Sequence, residues 1–174
     1  MLVFCDPKTW PKDPEKLNLP EGCVAAVRVH PKHAGDFGDY YFDRLSRLMD
    51  SLAVTALGEV GMDCSEGANY PFAIQKSTLR WVLALARPYM PLVLHVRASG
   101  EGPQATDALY REVLGVMQEK VPNTLQSIHL HCFNGDPVTV KLWSDSYPGT
   151  SKPFQKPGSS WSLTPPISPT WPDL

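Results

Sequence analysis

Long hydrophobic runs are missing from this 174-residue sequence, and no stretch approaches the roughly 20 apolar residues that a membrane-spanning helix needs. Excess basic charge is missing too, because 16 Lys and Arg residues are balanced by 18 Asp and Glu residues, for a formal net charge of −2. Such a protein has no general basic field with which to neutralise the phosphates of a nucleic acid. Any binding of nucleic acid must therefore come from a local site.

Cysteine is scarce and shows no pairing pattern. Cys5, Cys23, Cys64 and Cys132 are widely scattered and form no Cys-x-x-Cys pair, which is typical of reduced thiols in a cytosolic or nuclear protein. We expect all four to be buried as small hydrophobic residues. The first residues contain no basic region and only a short apolar run, unlike a signal peptide. The sequence thus predicts an intracellular protein, nuclear or cytoplasmic, that is neither secreted nor bound to a membrane.

Short runs of β-branched and aliphatic residues alternate with helical patterns through most of the chain. Five runs are predicted to be strands: 2–5, 23–29, 54–60, 91–96 and 126–132. Three amphipathic stripes with helical spacing lie between them; they comprise Leu45, Leu48, Met49 and Leu52, then Ile74, Thr78, Trp81, Val82 and Leu85, then Leu109, Val113 and Val116. This alternation predicts a parallel sheet with crossover helices.

The last part of the chain differs in composition. Residues 147–174 contain seven prolines, with Ser, Thr and Gly between them, and follow neither the strand period nor the helix period. A segment of this kind cannot bury enough apolar surface to fold by itself. We therefore expect one folded domain at 1–146 and a disordered Pro/Ser-rich tail at 147–174.

Three residues with metal-binding side chains recur at one position in successive strands. His95 follows Glu59 by 36 residues, and His131 follows His95 by 36, which is enough for one strand, one helix and their loops. Because side chains alternate along a strand, we expect three sets to share the interior face: Leu57, Glu59 and Gly61; Val93, His95 and Arg97; His129, His131 and Phe133. In βα barrels such groups meet at the carboxyl ends of the strands.

Carboxylate and imidazole are ligands that suit Zn²⁺, Mn²⁺ or Mg²⁺. A bound cation lowers the pKa of water to about 7 and polarises a phosphoryl oxygen, which makes hydrolysis feasible near neutral pH. A lone His or Glu near a strand end is more often a hydrogen-bonded structural residue, and that alternative stays open for each residue alone. Three such groups in phase would be costly to bury unpaired, which favours a shared cation.

Four short segments carry a distinctive series of motifs. They are Val-Arg-Val-His-Pro-Lys-His at 27–33, Leu-Gly-Glu-Val-Gly-Met-Asp at 57–63, Pro-Leu-Val-Leu-His-Val-Arg at 91–97 and Ile-His-Leu-His-Cys-Phe-Asn-Gly at 128–135. Together they resemble the motifs of the TatD-related deoxyribonuclease family, in the family's order, over about residues 1–142. One departure is Arg28, where the family usually has glycine.

The resemblance implies a partial (β/α)₈ TIM barrel of about five parallel βα units and the activity of a metal-dependent deoxyribonuclease, commonly an exonuclease. The substrate it implies is DNA, either single-stranded or at 3′ ends. Glu59, His95 and His131 would bind one or two divalent metal ions (Mg²⁺, Mn²⁺ or Zn²⁺), with Glu59 as the catalytic residue. His30 and Arg97 would contact the substrate.

For some neighbouring residues the sequence leaves alternatives open. Arg97 could bind a phosphate bidentately or form a salt bridge with Asp63 or Glu101. Asp63 could orient a ligand or cap the next segment. His129 is expected in a layer below His131, as a hydrogen-bonding or core residue rather than a ligand, and Cys132 is expected to pack against a helix.

Two parts of the family pattern are not found in the sequence. Family members begin with a strand that ends in His-x-His and finish with a strand that supplies an Asp, and a complete barrel needs about 250 residues. We therefore expect a barrel shortened at both ends, with open sheet edges that, like the Pro-rich tail, are available to protein partners. Two other functions stay open: a non-catalytic binding module and a metallohydrolase that acts on a small amide or ester.

Overall fold

The computed structural model describes residues 2–4, 6–14, 17–65, 71–99 and 103–151. Within these ranges, six strands form a single sheet in which every neighbouring pair is parallel and the spatial order follows the chain. The strands are β1 (Leu2–Phe4), β2 (Ala25–Val27), β3 (Val54–Asp63), β4 (Leu92–Arg97), β5 (Ile128–His131) and β6 (Thr150–Ser151).

Four α-helices connect the later strands: α1 (Asp39–Met49), α2 (Phe72–Leu83), α3 (Pro103–Lys120) and α4 (Pro137–Ser146). Each lies between two consecutive strands, so that β2 to β6 are linked by four βαβ crossovers. Parallel strands in chain order with intervening helices are the arrangement of a TIM barrel, and the predicted α/β partial barrel is confirmed. No helix of the described ranges is both long and apolar enough to span a membrane.

The hydrophobic core lies between the helices and one face of the sheet. In β4, Leu92, Leu94 and Val96 are buried, and in β5, Ile128 and Leu130 are buried. They pack in one cluster with buried residues from all four helices, among them Leu48, Leu79, Val113 and Trp143. Because burying one such side chain contributes about 1.5–3 kcal/mol, this helix-covered face supplies most of the driving force for folding.

The opposite face of the sheet carries the polar residues. In β4, Val93 and His95 are half-buried and Arg97 is exposed, and in β5, His129 and His131 are half-buried. This alternation confirms the predicted shared faces for Val93, His95 and Arg97 and for His129 and His131. The prediction is wrong for Phe133, which lies beyond the end of β5 and packs against the hydrophobic core. The polar face therefore corresponds to the interior of the barrel, where the predicted site belongs.

In β3 the predicted alternation is wrong. Leu57 pairs with Leu92 and Val60 pairs with Leu94, so the register shifts across Glu59. Leu57 and Val60 of β3 are both buried on the helix side of the sheet. Leu57 therefore does not share the face of Glu59. The physical reason is a β-bulge, in which one extra residue opposes the partner strand and re-aims the side chain.

Two helical stripes also differ from the prediction. Leu52 lies beyond the end of α1 and is 99% exposed, because the chain turns there to enter β3. In α2, Ile74 and Trp81 are partly exposed, whereas the polar Gln75 is buried. The buried face of α2 is rotated because Gln75 makes hydrogen bonds at the end of β3. The third stripe, in α3, is confirmed by the burial of Leu109, Val113 and Val116.

The folded part extends past the predicted boundary at residue 146. Tyr147 is buried, and its hydroxyl donates a 2.8 Å hydrogen bond to the Val121 carbonyl oxygen. Thr150 and Ser151 then pair with β5 as strand β6. Ordered structure thus continues at least to Ser151, and residues 152–174 of the predicted tail lie outside the described residues.

Candidate metal centre

Glu59 is placed by two glycines that let β3 and β4 approach closely. Gly58 and Gly61 have positive φ angles, and a β-carbon on either one would overlap the backbone of β4, at the carbonyl oxygens of Val93 and His95. Glycine is the residue that tolerates both this backbone conformation and this proximity. The bulge between the two glycines directs Glu59 to the polar face beside His95.

The Glu59 carboxylate lies among three basic side chains. Its Oε1 is 2.6 Å from Nη1 of Arg28 and 3.5 Å from Nε2 of His131, and its Oε2 is 3.4 Å from Nδ1 of His95. The contact with His95, followed by the charges of Arg28 and His131, outweighs burial and lowers the pKa of Glu59 to about 2. Glu59 thus contacts both other predicted ligands, His95 through Oε2 and His131 through Oε1, and its carboxylate is ionised at neutral pH. His131 does not belong to the group whose ligand atoms all lie within 4.8 Å of one another, which consists of His30, Glu59 and His95.

The orientation of His95 is fixed from its other side. Nε2 of His95 lies 3.2 Å from Oδ2 of Asp63, and a carboxylate accepts a hydrogen bond, so the ring proton belongs on Nε2. The neutral ring then has its lone pair on Nδ1, which is buried and has no hydrogen-bond partner among the described residues. Nδ1 and Glu59 Oε2 are 3.4 Å apart, a distance at which they attract each other when a proton or a cation lies between them.

Asp63 is itself held firmly. Burial alone would raise the pKa of Asp63, but hydrogen bonds from the Ser65 hydroxyl and backbone N–H, together with His95, outweigh it and lower that pKa. Gln75 holds the backbone at the same position, with its Oε1 accepting from Asp63 N at 2.8 Å and its Nε2 donating to Asp63 O at 2.9 Å. Of the two roles that the sequence left open for Asp63, the contact with His95 matches the orienting one.

His30 completes the tightest cluster. His30, Glu59 and His95 each offer a ligand atom within 4.8 Å of the others, and the two imidazole rings are 4.7 Å apart. Nδ1 of His30, however, accepts a 3.2 Å hydrogen bond from the Lys32 backbone N–H, so that Nε2 of the neutral ring carries the proton. Burial, and then the nearby His95 and Arg28, lowers the pKa of His30 to about 4. His30 is therefore better suited to donate a hydrogen bond than to bind a metal.

The donor set fits a divalent cation. Glu59 Oε2 and His95 Nδ1 face each other at 3.4 Å in a partly buried position, and His131 lies on the other side of the carboxylate with 40% of its side chain exposed. A cation would satisfy the buried Nδ1 atom that has no hydrogen bond. The Asp63–His95 contact is the carboxylate–histidine arrangement that commonly orients metal ligands.

The remaining predicted residues lie around this centre. Arg97 is exposed at the mouth of the cavity that also includes His131 and Asn134, and within the described residues its guanidinium makes no ion pair. The alternative partner Glu101 lies outside the described residues. His129 accepts or donates a 3.2 Å hydrogen bond with Ser151, which matches its predicted hydrogen-bonding role.

Cys132 is placed differently from the prediction. It is exposed, its φ is 49°, and it lies at the edge of the same cavity rather than against a helix. The strand ends at His131, and the positive φ at Cys132 turns the chain away, so strand alternation no longer applies. Cys23 and Cys64 are half-buried, and Cys5 lies outside the described residues.

The sequence of this chain is similar to those of known proteins. The chain is 28% identical over 115 residues to the 3′-5′ ssDNA/RNA exonuclease TatD of Cronobacter sakazakii, which is 66% of this chain and 40% of that protein. It is 31% identical over 129 residues to an uncharacterized metal-dependent hydrolase TatD of Mycobacterium tuberculosis, at 70% of this chain and 44% of that protein. The chain is also 29% identical over 118 residues to the 3′-5′ ssDNA/RNA exonuclease TatD of Yersinia pseudotuberculosis, a match that covers 67% of this chain and 41% of that protein.

The family comparison covers more of the chain. A sequence model of the family described as TatD related DNase matches residues 1–159, whereas the chain spans about four tenths of the length of the curated relatives above. The match includes His30, Glu59, His95 and His131. The chain belongs to the TatD related DNase family.

Proposed function

We propose that this protein acts as a metal-dependent deoxyribonuclease that removes nucleotides from the end of a single-stranded DNA. The observation that carries the proposal is the Glu59–His95 pair, in which the buried Nδ1 of His95 faces Oε2 of Glu59 at 3.4 Å at the carboxyl end of a parallel sheet. Active sites of βα barrels lie at this end. The relatives named as exonucleases support the choice of nucleic acid as substrate.

Glu59, His95 and His131 are the proposed metal ligands. Glu59 is ionised at neutral pH, and Asp63 holds His95 with its lone pair on the cation side. When bound, the cation would lower the pKa of a water molecule to about 7 and polarise a phosphoryl oxygen. Mg²⁺, Mn²⁺ and Zn²⁺ all accept such ligands, and the choice among them is part of the experiment below.

His30 and Arg97 are the proposed substrate contacts. The Nε2 proton of His30 is free to donate to a phosphate oxygen, because Nδ1 already accepts from Lys32. Arg97 lies at the mouth of the cavity with an exposed side chain, where its planar guanidinium can bind a phosphate bidentately. The two side chains would hold the scissile phosphate against the cation.

The alternatives from the sequence receive less support. The names of the relatives favour nucleic acid over a small amide or ester, and the contacts of Glu59 with His95 and His131 favour catalysis over a purely binding role. The intracellular location, nuclear or cytoplasmic, and the protein partners at the sheet edges and tail stay predictions.

The first prediction concerns Glu59. The full chain is incubated with a single-stranded oligonucleotide labelled at its 5′ end, with Mg²⁺, Mn²⁺ or Zn²⁺ or with a chelator, and shortening is followed on a denaturing gel. Glu59→Gln is expected to lower the rate by about a hundredfold or more, because the neutral amide is a poor metal ligand. Glu21→Gln, which alters an exposed loop carboxylate, is the matched control.

A rate that does not depend on the cation, or a Glu59→Gln protein that is folded by circular dichroism and as active as the unsubstituted chain, would contradict the proposal. Circular dichroism is needed because Glu59→Gln also leaves the partly buried Arg28 without its counter-charge.

A further inference from the structure

Arg28 is a permanent positive charge inside the candidate metal centre. It follows β2 directly, and its backbone N–H donates to the Phe4 carbonyl oxygen at 3.1 Å, which extends the pairing with β1. The side chain is only 16% exposed. A guanidinium stays protonated at any ordinary pH, so this part of the site is never free of positive charge.

Glu59 holds the side chain of Arg28 in a position that leaves one of its nitrogen atoms buried without a hydrogen bond. Nη1 lies 2.6 Å from Glu59 Oε1, while Nε is buried without a hydrogen-bond partner among the described residues. A buried donor without a partner is unfavourable, so the attraction to Glu59 must exceed that cost. Arg28 therefore depends on the same carboxylate that a cation would use.

The contacts divide Glu59 into two sides. Oε1 faces Arg28 and His131, whereas Oε2 faces the buried Nδ1 of His95. A divalent cation on the Oε1 side would lie against the guanidinium, and the two positive charges would repel each other in a weakly screened environment. A cation on the Oε2 side is farther from the guanidinium and can use the unpaired lone pair of His95.

We propose that Arg28 competes with divalent cations for Glu59, so that it weakens metal binding at the candidate centre. The inference rests on the proposed metal site but not on nuclease activity. Arg28 acts as a counter-ion to Glu59 within the protein, and its charge affects how tightly the centre binds a divalent cation. It partly replaces on the Oε1 side the charge that a second cation would supply.

The test is a titration of the full chain with Mn²⁺, in which free Mn²⁺ is measured by electron paramagnetic resonance. Arg28→Met removes the charge and keeps a long side chain, and we expect it to bind Mn²⁺ about tenfold more tightly than the unsubstituted chain. Arg28→Lys keeps the charge and is expected to stay close to the unsubstituted affinity. Arg47→Met removes the same charge from an exposed position on α1 and should leave the affinity unchanged.

A second variant covers the case in which Arg28→Met does not fold. Arg28→Gln is neutral but keeps an N–H donor for Glu59, and the same gain in affinity is expected. Equal or weaker Mn²⁺ binding by a folded neutral variant would overturn the inference, as would the absence of Mn²⁺ binding in every protein tested. Tighter binding by the neutral variants together with no cleavage of DNA would support the role of Arg28 and refute the proposed function alone.

Discussion

His95 can offer the lone pair of Nδ1 only while its ring proton is on Nε2, and Asp63 is the residue that holds the proton there. The Nε2–Oδ2 distance is 3.2 Å, and the other carboxylate oxygen of Asp63 accepts from the backbone N–H of Ser65 at 2.9 Å. Asp63 would thus set the direction of the proposed ligand His95 without contacting the cation itself.

Asp63→Asn is predicted to reverse this tautomer. Because the Ser65 hydrogen bonds retain the side-chain oxygen, the new amide would turn its NH₂ group towards His95 and require a lone pair on Nε2. The proton would then lie on Nδ1, where it blocks the cation. We expect Mn²⁺ affinity to fall about 10–100-fold, as measured by isothermal titration calorimetry.

Asp43→Asn, which alters an exposed carboxylate on α1, is the matched control for that titration. An Asp63→Asn protein that binds Mn²⁺ as tightly as this control would show that the hydrogen bond to Nε2 does not govern His95.

At the residue scale, the sequence predicts which polar side chains meet but not all of what they do. Regular spacing along the chain was enough to bring Glu59, His95 and His131 to one face. The parts played by Arg28 and Asp63 depend on contacts between side chains of different strands. Spacing could not predict them, because the bulge at Glu59 changes which residues of β3 share a face.

At the scale of elements, the end of β3 is fastened to α2 by one side chain. Gln75 is buried and makes two hydrogen bonds to the backbone of Asp63, one through its oxygen and one through its nitrogen. These bonds satisfy both polar backbone groups of the residue that orients His95. A polar residue in the middle of the buried face of α2 therefore connects helix packing to the site.

Gln75→Leu is predicted to lower the free energy of unfolding by about 2–4 kcal/mol, because the N–H and C=O of Asp63 would be left buried without partners. Urea unfolding followed by circular dichroism measures the change. Gln104→Leu, at an exposed position of α3, should have little effect. Equal unfolding midpoints for the two variants would mean that water replaces the lost hydrogen bonds.

The elements themselves were largely predictable, with failures that have clear causes. Five strands and the helix at 103–120 have strong periodicity, and all are confirmed. The stripe in α2 was misread because Gln75 is buried for its hydrogen bonds rather than for its hydrophobicity. Strand β6 has two residues, too few for any period, and its first residue, Thr150, hydrogen-bonds to the carbonyl oxygen of the buried Tyr147.

At the scale of the whole molecule, the candidate site occupies the carboxyl ends of β2 to β5 and uses a residue from each. His30 follows β2, Glu59 belongs to β3, His95 belongs to β4 and His131 ends β5. The site is therefore assembled by four adjacent strands, and its geometry depends on global folding. Charge at the site should accordingly affect the stability of the entire domain.

The pH dependence of stability is predicted to reflect His30. Its pKa is about 4 in the folded protein against an ordinary value of 6.5, so the unfolded chain takes up the proton first on acidification. The neutral ring of His30 therefore leaves the folded state at full stability above pH 6.5, and the free energy of unfolding falls as the pH falls towards 4. The shift itself corresponds to about 3 kcal/mol, and partial solvent exposure of the ring reduces the expected loss to about 2 kcal/mol.

His30→Asn keeps a side-chain acceptor for the Lys32 N–H but has no titrating ring. Urea unfolding with a chelator present should show a shallower decline for this variant between pH 6.5 and 4, whereas above pH 6.5 its profile and that of the unsubstituted chain should run parallel. If the two proteins show parallel profiles between pH 6.5 and 4 as well, the pH dependence of stability does not come from His30.

Gly58 and Gly61 have no functional group, yet the position of Glu59 depends on their lack of a side chain. A single added methyl group at either position would push apart two strands that carry the proposed ligands. A search for damaging substitutions limited to acids, bases and nucleophiles would overlook these two positions. Inherited or engineered variation in this chain should therefore be judged there by steric size as much as by chemistry.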